Sequence, residues 1–134
     1  MAIKSSKIRQ KSVLLMNADP EESAGITLLL KEADINTQSV ATPSELITKM
    51  KDASFLAVIM DLDSVALDNR SIRDLASRFP VIPLLCISKE RIHPELMDSI
   101  RDHIYACLTK PIDPDELNYW LKSIQEDDQA LTAR

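Results

Sequence analysis

Three polar residues, Asp61, Ser88 and Lys110, come at or just after the ends of apolar runs and together suit phosphoryl transfer. An aspartate can act as the nucleophile, a lysine can stabilise negative charge, and a hydroxyl can bind a phosphoryl oxygen. The residues before Asp61 are all apolar from Leu56 onward, so its carboxylate is expected at the end of a buried strand, where it needs a partner. A structural ion pair between Asp61 and Lys110 is an equally good interpretation of the same residues.

The apolar runs predict the strands that position these residues. Four runs are short and continuous, as in parallel strands that helices cover on both faces. They are residues 13–16, 55–60, 84–87 and 104–108. A more polar stretch, residues 35–40, predicts a strand at the edge of the sheet.

Helices alternate with these strands. Three helix starts carry an N-cap side chain, then proline, then glutamate at the third helical position. They are Asp19-Pro20-Glu21-Glu22, Thr42-Pro43-Ser44-Glu45 and Asp113-Pro114-Asp115-Glu116. Apolar residues at helical spacing predict further helices at residues 72–79 and from about Pro94 to Ile100. Because crossovers between parallel strands are right-handed, this order predicts an α/β fold with an open, doubly wound sheet.

The predicted sheet brings the polar residues at the strand ends together. Ligands of such sheets bind beyond the carboxyl ends of the strands, near the point where the strand order reverses. The polar residues expected along this rim are Asn17, Asp19, Asp61, Asp63, Ser88, Lys89, Thr109 and Lys110. A carboxylate, a hydroxyl and an ammonium group would therefore meet at one edge of the sheet.

Length and composition restrict the function further. The 134 residues allow one domain, which we place at residues 12–126 between a basic flexible tail, 1–11, and a flexible tail or linker, 127–134. The single glycine excludes the glycine-rich loops that bind nucleotide phosphates. The basic tail leaves an acidic body, which disfavours direct contact with nucleic acid. No apolar run reaches the ~18 residues of a membrane span, so we expect no membrane contact.

The two cysteines, Cys86 and Cys107, both lie in apolar runs. This placement predicts buried thiols, and their small number suits a reducing, cytoplasmic setting. Neither cysteine has the other ligands of a zinc site nearby.

The sequence resembles the receiver domain of two-component response regulators over residues 12–126. The resemblance rests on Asp61, on Ser88 and above all on the segment Leu108-Thr109-Lys110-Pro111-Ile112-Asp113-Pro114-Asp115-Glu116-Leu117. It implies a flavodoxin-like, five-stranded parallel sheet in the order 2-1-3-4-5 with five helices. It also implies a cis peptide bond before Pro111.

The resemblance further implies roles for the rim residues and for partners. Asp61 would be the phosphoacceptor, Ser88 the switch hydroxyl and Lys110 the charge-stabilising lysine. A histidine kinase or another phosphodonor protein would supply the phosphoryl group in a phosphorelay. The output would be a protein contact, or a homodimer, through the fourth helix, the fifth strand and the fifth helix. Such a module is not an enzyme beyond weak self-phosphorylation and dephosphorylation.

The sequence departs from the family where a receiver holds Mg²⁺. Receivers carry two acidic residues directly after the first strand, whereas this chain has Asn17 and Ala18. Mg²⁺ is usually fixed by one or two carboxylates together with phosphate oxygens. Asp61 remains as a ligand, and Asp63 and Asp19 are weaker candidates, because Asp19 suits the N-cap of the first helix better. We therefore expect weak or absent Mg²⁺ binding, and either impaired phosphorylation or a pseudo-receiver that works without phosphate.

Two alternatives to the receiver interpretation use the same rim. The first is a flavin-binding or small-molecule-binding domain of flavodoxin-like architecture. It is disfavoured because Asp19, Glu21 and Glu22 would repel a phosphate at the start of the first helix. The second is an interaction domain in which Asp61 and Lys110 form a purely structural pair.

Overall fold

The computed structural model describes residues 12–90 and 96–133, with side chains as far as residue 127. The basic tail predicted at residues 1–11, and Pro94 in the predicted fourth helix, lie outside these ranges. Ten elements alternate along the described chain. The strands are β1 Ser12–Met16, β2 Asn36–Val40, β3 Ala57–Asp61, β4 Leu84–Ser88 and β5 Ala106–Thr109. The helices are α1 Pro20–Glu32, α2 Pro43–Asp52, α3 Asn69–Arg78, α4 Met97–His103 and α5 Pro114–Ala133.

The five strands form one parallel sheet in the order β2-β1-β3-β4-β5. The strand order reverses beside β1, so the carboxyl ends of β1 and β3 border the crevice in which ligands of such folds bind. The predicted flavodoxin-like fold with five helices is thereby confirmed. The polar strand β2 lies at one edge, as its composition predicts.

The core lies on both faces of the sheet because side chains alternate along each strand. On one face, odd-numbered strand residues such as Leu15 and Ile59 pack against α1 and α5. On the other face, even-numbered residues such as Leu14 and Met60 pack against α2 and α3. The continuous apolar runs of β1, β3 and β4 follow from this double burial.

Strand β5 differs from the prediction because it lies at the second edge of the sheet. Leu108 is buried, whereas Cys107 is exposed, so the prediction of a buried thiol is wrong for Cys107 and right for Cys86. An edge strand has a neighbour on one side only, which leaves part of its surface open. Met97 at the start of α4 is also exposed.

The last helix extends further than the sequence indicates. Helix α5 continues to Ala133, beyond residue 126, where we expected the domain to end. Three of its apolar residues, Leu117, Leu121 and Ile124, are buried and pack on the sheet. In the part of the chain that the structure describes, no helix combines the length and apolar character needed to cross a membrane.

Candidate functional site

The sheet register brings the predicted site residues together at one rim. Asp61 is the last residue of β3 and pairs with Ile87 of β4. Ser88, the last residue of β4, pairs with Thr109, and the next N–H, that of Lys110, donates to the Ser88 carbonyl oxygen at 2.9 Å. Three neighbouring strands thus end at one level, with a carboxylate, a hydroxyl and an ammonium group side by side.

The ammonium group of Lys110 contacts three carboxylates at once. Its Nζ lies 2.6 Å from Asp61 Oδ1, 2.9 Å from Asp63 Oδ2 and 2.9 Å from Glu22 Oε1. Burial of the lysine lowers its pKa, but the three carboxylates outweigh burial and raise the pKa above its usual range. Lys110 is therefore a permanent positive charge in the site.

Asp61 is fully buried, and both of its carboxylate oxygens have partners. Oδ1 pairs with Lys110 and lies 3.5 Å from the backbone N–H of Asp63, while Oδ2 accepts the backbone N–H of Ser64 at 3.1 Å. Solvent reaches none of the side chain. A buried carboxylate is costly unless it is paired and hydrogen-bonded, and Lys110 together with the β3–α3 loop supplies both conditions.

Asp63 faces three hydrogen-bond donors. Its Oδ1 accepts the Ser88 hydroxyl at 3.4 Å, and its Oδ2 accepts the backbone N–H of Lys89 at 3.0 Å and the ammonium of Lys110. Partial burial raises the pKa of Asp63, but Lys110 and the Lys89 N–H reverse that effect and lower the pKa below its usual value. Asp63 is therefore a fixed anion of the site rather than a solvated loop residue.

Glu22 is a member of the site that the sequence did not reveal. Its position at the third residue of α1 suggested a capping box, in which it would bind the N-cap backbone N–H. Its Oε1 instead accepts from Asn17 Nδ2 at 2.9 Å and from Lys110, while the Asp19 N–H donates to Asn17 Oδ1 at 2.7 Å. The one feature of the sequence that could have indicated this role is that Glu22 is a second glutamate in the first turn of the helix directly after β1.

Asp19 acts on its own helix. Its carboxylate accepts the backbone N–H groups of Glu21 and Glu22, at 3.0 and 3.4 Å, as an N-cap does. The predicted N-cap is therefore confirmed. The structure directs this side chain to the first turn of α1 rather than to Asp61.

In the part of the chain that the structure describes, the acidic side chains of the rim do not form a metal-binding cluster. Within residues 12–90 and 96–127, no cluster of three or more histidine, cysteine or acidic side chains is arranged to hold a metal. Carboxylate oxygens of Asp61, Asp63 and Glu22 converge on the ammonium of Lys110, so a cation already stands among them. Ala18 brings no ligand, and the amide of Asn17 is occupied by Asp19, Glu22 and Ser64.

The β5–α5 connection also follows the expectation from the sequence. The peptide bond between Lys110 and Pro111 is cis.

Before β5, Tyr105 packs edge-on against Trp120 of α5, with ring centroids 5.9 Å apart, and its hydroxyl donates to Asp127 at 2.9 Å. Tyr119 of the same helix is 62% exposed.

Solved structures resemble this chain closely in backbone. A signal receiver domain of an HD-domain-containing protein from Pseudomonas fluorescens superposes with a TM-score of 0.79 at 16% identity, covering 91% of this chain and 99% of that one. A CheY-like receiver domain protein from Methanospirillum hungatei gives 0.78 at 15% identity, covering 90% and 98%. The receiver domain of a sensor histidine kinase from Pseudomonas aeruginosa, solved with magnesium in its active-site cleft, gives 0.73 at 17%, covering 85% and 96%.

The chain therefore has the fold of response-regulator receiver domains. At these levels of identity the likeness concerns the fold alone. Comparison of the sequence with protein-family models finds no match, and neither does comparison with curated protein sequences. The flavin-binding alternative is not favoured, because Glu22 places a negative charge at the rim where a flavin phosphate would lie.

Proposed function

We propose that the chain is an atypical receiver module of two-component signalling, in which phosphorylation of Asp61 is impaired and the output is a protein contact. The observation that carries the proposal is the 2.6 Å ion pair between buried Asp61 and Lys110. The pair lies at the rim of the sheet in a chain that has the receiver fold. The pair supplies the nucleophile and the stabilising charge of phosphoryl transfer. The same Lys110 is also engaged by Asp63 and Glu22, which leaves little room for a phosphodonor.

Weak Mg²⁺ binding is the second part of the proposal. The receiver domain from Pseudomonas aeruginosa was solved with a magnesium ion. In the present chain Asn17 and Ala18 supply no carboxylate, and the neighbouring carboxylates are paired with Lys110. The cation that balances these charges is therefore the chain's own ammonium group, and a histidine kinase or other phosphodonor would meet a poor acceptor. The two free thiols suit a cytoplasmic location.

The output surface that we propose consists of α4, β5 and α5. It carries exposed apolar or aromatic side chains on each element, namely Met97, Cys107 and Tyr119. Isolated exposed apolar residues are ordinary, but aromatic residues are enriched at protein interfaces. We expect this face to bind a protein partner or a second copy of the chain. Replacing Tyr119 by alanine should weaken self-association of the chain, measured by sedimentation velocity. Replacing exposed Leu28 of α1 by alanine should leave self-association unchanged.

Intact-mass spectrometry after incubation with acetyl phosphate tests the proposal directly. We expect little phosphoryl adduct on the wild-type chain with or without Mg²⁺, and none on Asp61→Asn. The double variant Asn17→Asp, Ala18→Asp rebuilds the acidic pair and should gain Mg²⁺-dependent adduct. The variant Asp52→Asn, at an exposed position at the end of α2, is the matched control.

The outcomes of this experiment separate impaired phosphorylation from weak Mg²⁺ binding. Rapid, Mg²⁺-dependent modification of wild-type Asp61 would contradict impaired phosphorylation and indicate an ordinary receiver. A double variant that folds but gains neither phosphoryl adduct nor Mg²⁺ binding would show that the missing acidic pair does not cause the impaired phosphorylation.

A further inference from the structure

The carboxylate of Asp63 lies among three donors that come from two different strand ends. The Ser88 hydroxyl and the Lys89 N–H come from the end of β4, and the ammonium of Lys110 comes from the end of β5. These three donors, called here the oxyanion pocket, suit the oxygens of a phosphoryl group on Asp61, and we propose that Asp63 fills this pocket from within the chain in their place. The inference rests on the proposed function, because it takes Asp61 as the phosphoacceptor position.

The donors are suited to an anion and unsuited to a metal. A hydroxyl, a backbone N–H and an ammonium group all present hydrogen atoms, and charge-assisted hydrogen bonds of this kind are the strong ones. The Ser88 oxygen accepts the backbone N–H of Glu90 at 3.0 Å, so its own proton is available for Asp63. A cation placed here would meet N–H groups and the Lys110 charge. The pocket therefore selects carboxylate or phosphoryl oxygens.

The position of Asp63 in the chain explains how it reaches the pocket. It lies two residues after Asp61 in the β3–α3 loop, and the loop is fixed because the N–H of Ser64 donates to Asp61 Oδ2 at 3.1 Å and the N–H of Val65 donates to the Asp61 carbonyl oxygen at 3.3 Å. The Asp63 side chain remains 24% exposed, so it covers the pocket from the solvent side. A phosphodonor approaching Asp61 would have to displace this carboxylate.

Two consequences follow from the occupied pocket. The negative charge of Asp63 repels an incoming anionic phosphodonor, which adds to the impairment of phosphorylation. The same carboxylate also holds the end of β4 against Lys110, as the oxygens of a phosphoryl group on Asp61 would do. The arrangement of the β4 end is therefore set by Asp63, without any phosphodonor.

An anion titration of Asp63→Ala tests the pocket without phosphorylation. The amide signals of Lys89 and Glu90 are followed by two-dimensional ¹H–¹⁵N NMR while formate or orthophosphate is added. We expect a saturable shift of the Lys89 signal toward its wild-type position, with an apparent affinity at least about tenfold tighter than in wild type. Wild type and the control Asp52→Ala should bind the same anions at least about tenfold more weakly, because Asp63 fills their pocket.

Each outcome decides the proposal. A folded Asp63→Ala protein whose Lys89 signal does not respond to either anion would overturn it, and so would equal anion binding by wild type. If Asp63→Ala does not fold, Asp63→Asn keeps the volume and removes the charge, and it should still bind orthophosphate more tightly than wild type. Failure of the proposed function appears separately, as ready phosphorylation of wild-type Asp61 by acetyl phosphate.

Discussion

The Lys110 ammonium lies 2.6 Å from the carboxylate of Asp61, and it joins the ends of β3 and β5 to the first turn of α1 through Glu22. Asp61 is fully buried and the Lys110 side chain is 11% exposed, so solvent screens this pair weakly. Removing one partner of such a pair leaves the other charge uncompensated, which costs more than the pair itself contributes. The stability of the rim therefore depends on Lys110.

Replacing Lys110 by methionine should lower the free energy of unfolding by about 3–5 kcal/mol, because three carboxylates lose their common cation. Adding Asp61→Asn to Lys110→Met should recover part of the loss, since it removes the most buried of the uncompensated charges. Urea unfolding at pH 7 measures both effects, with exposed Lys49 replaced by methionine as the control. Equal stability of Lys110→Met and wild type would contradict the structural importance of the pair.

The stability that Asp63 contributes should depend on pH in the acid range. The folded protein holds the pKa of Asp63 below its unfolded value of about 3.9, so its contribution is fully present above that value. The contribution is lost as the pH falls through the lowered, folded pKa. The difference in urea midpoint between wild type and Asp63→Asn should thus be constant at neutral pH and shrink below about pH 4. A difference that grew in acid would refute the assigned sign.

Asp19 should influence the stability of α1 without influencing Mg²⁺. Asp19→Ala removes the acceptor for the N–H groups of Glu21 and Glu22 and should cost about 1 kcal/mol. Asp19→Ser keeps a capping oxygen, so it should cost only a few tenths of a kcal/mol of stability. Isothermal titration with Mg²⁺ should give the same weak or absent signal for all three proteins. A Mg²⁺ affinity that fell with Asp19→Ala would make Asp19 a ligand instead.

The two thiols should differ in reactivity although they pair across neighbouring strands. The neighbouring Cys107 thiol, together with burial, raises the pKa of Cys86, and the neighbouring Cys86 thiol lowers the pKa of Cys107. The thiolate is the reactive form, so a thiol reagent should modify the exposed Cys107 in the folded protein and both thiols in urea. Cys107→Ser should abolish the reaction of the folded protein. Reaction of two thiols without urea would contradict the burial of Cys86.

The sequence predicted the elements of the fold because their signals are local. Apolar runs identified β1, β3 and β4, and the Asp19-Pro20 and Thr42-Pro43 pairs marked the N-cap and first residue of α1 and α2. Burial on both faces leaves no polar position in a central strand, so the pattern is hard to mistake. The edge strand β5 was less clear, because its apolar run does not show which of its residues a neighbour covers. For this reason the sequence did not predict that the Cys107 thiol is exposed.

The sequence by itself determined that a carboxylate, a hydroxyl and an ammonium group would meet at the rim, since parallel strands end on the same side of a sheet. Only the tertiary structure decided how they are paired. Glu22, 88 positions away from Lys110 along the chain, shares its charge, and Asp63 accepts from Ser88, Lys89 and Lys110 together. Strand and helix signals act over a few residues, whereas the choice among several carboxylates for one ammonium depends on distances that the packing of α1 and the β3–α3 loop sets.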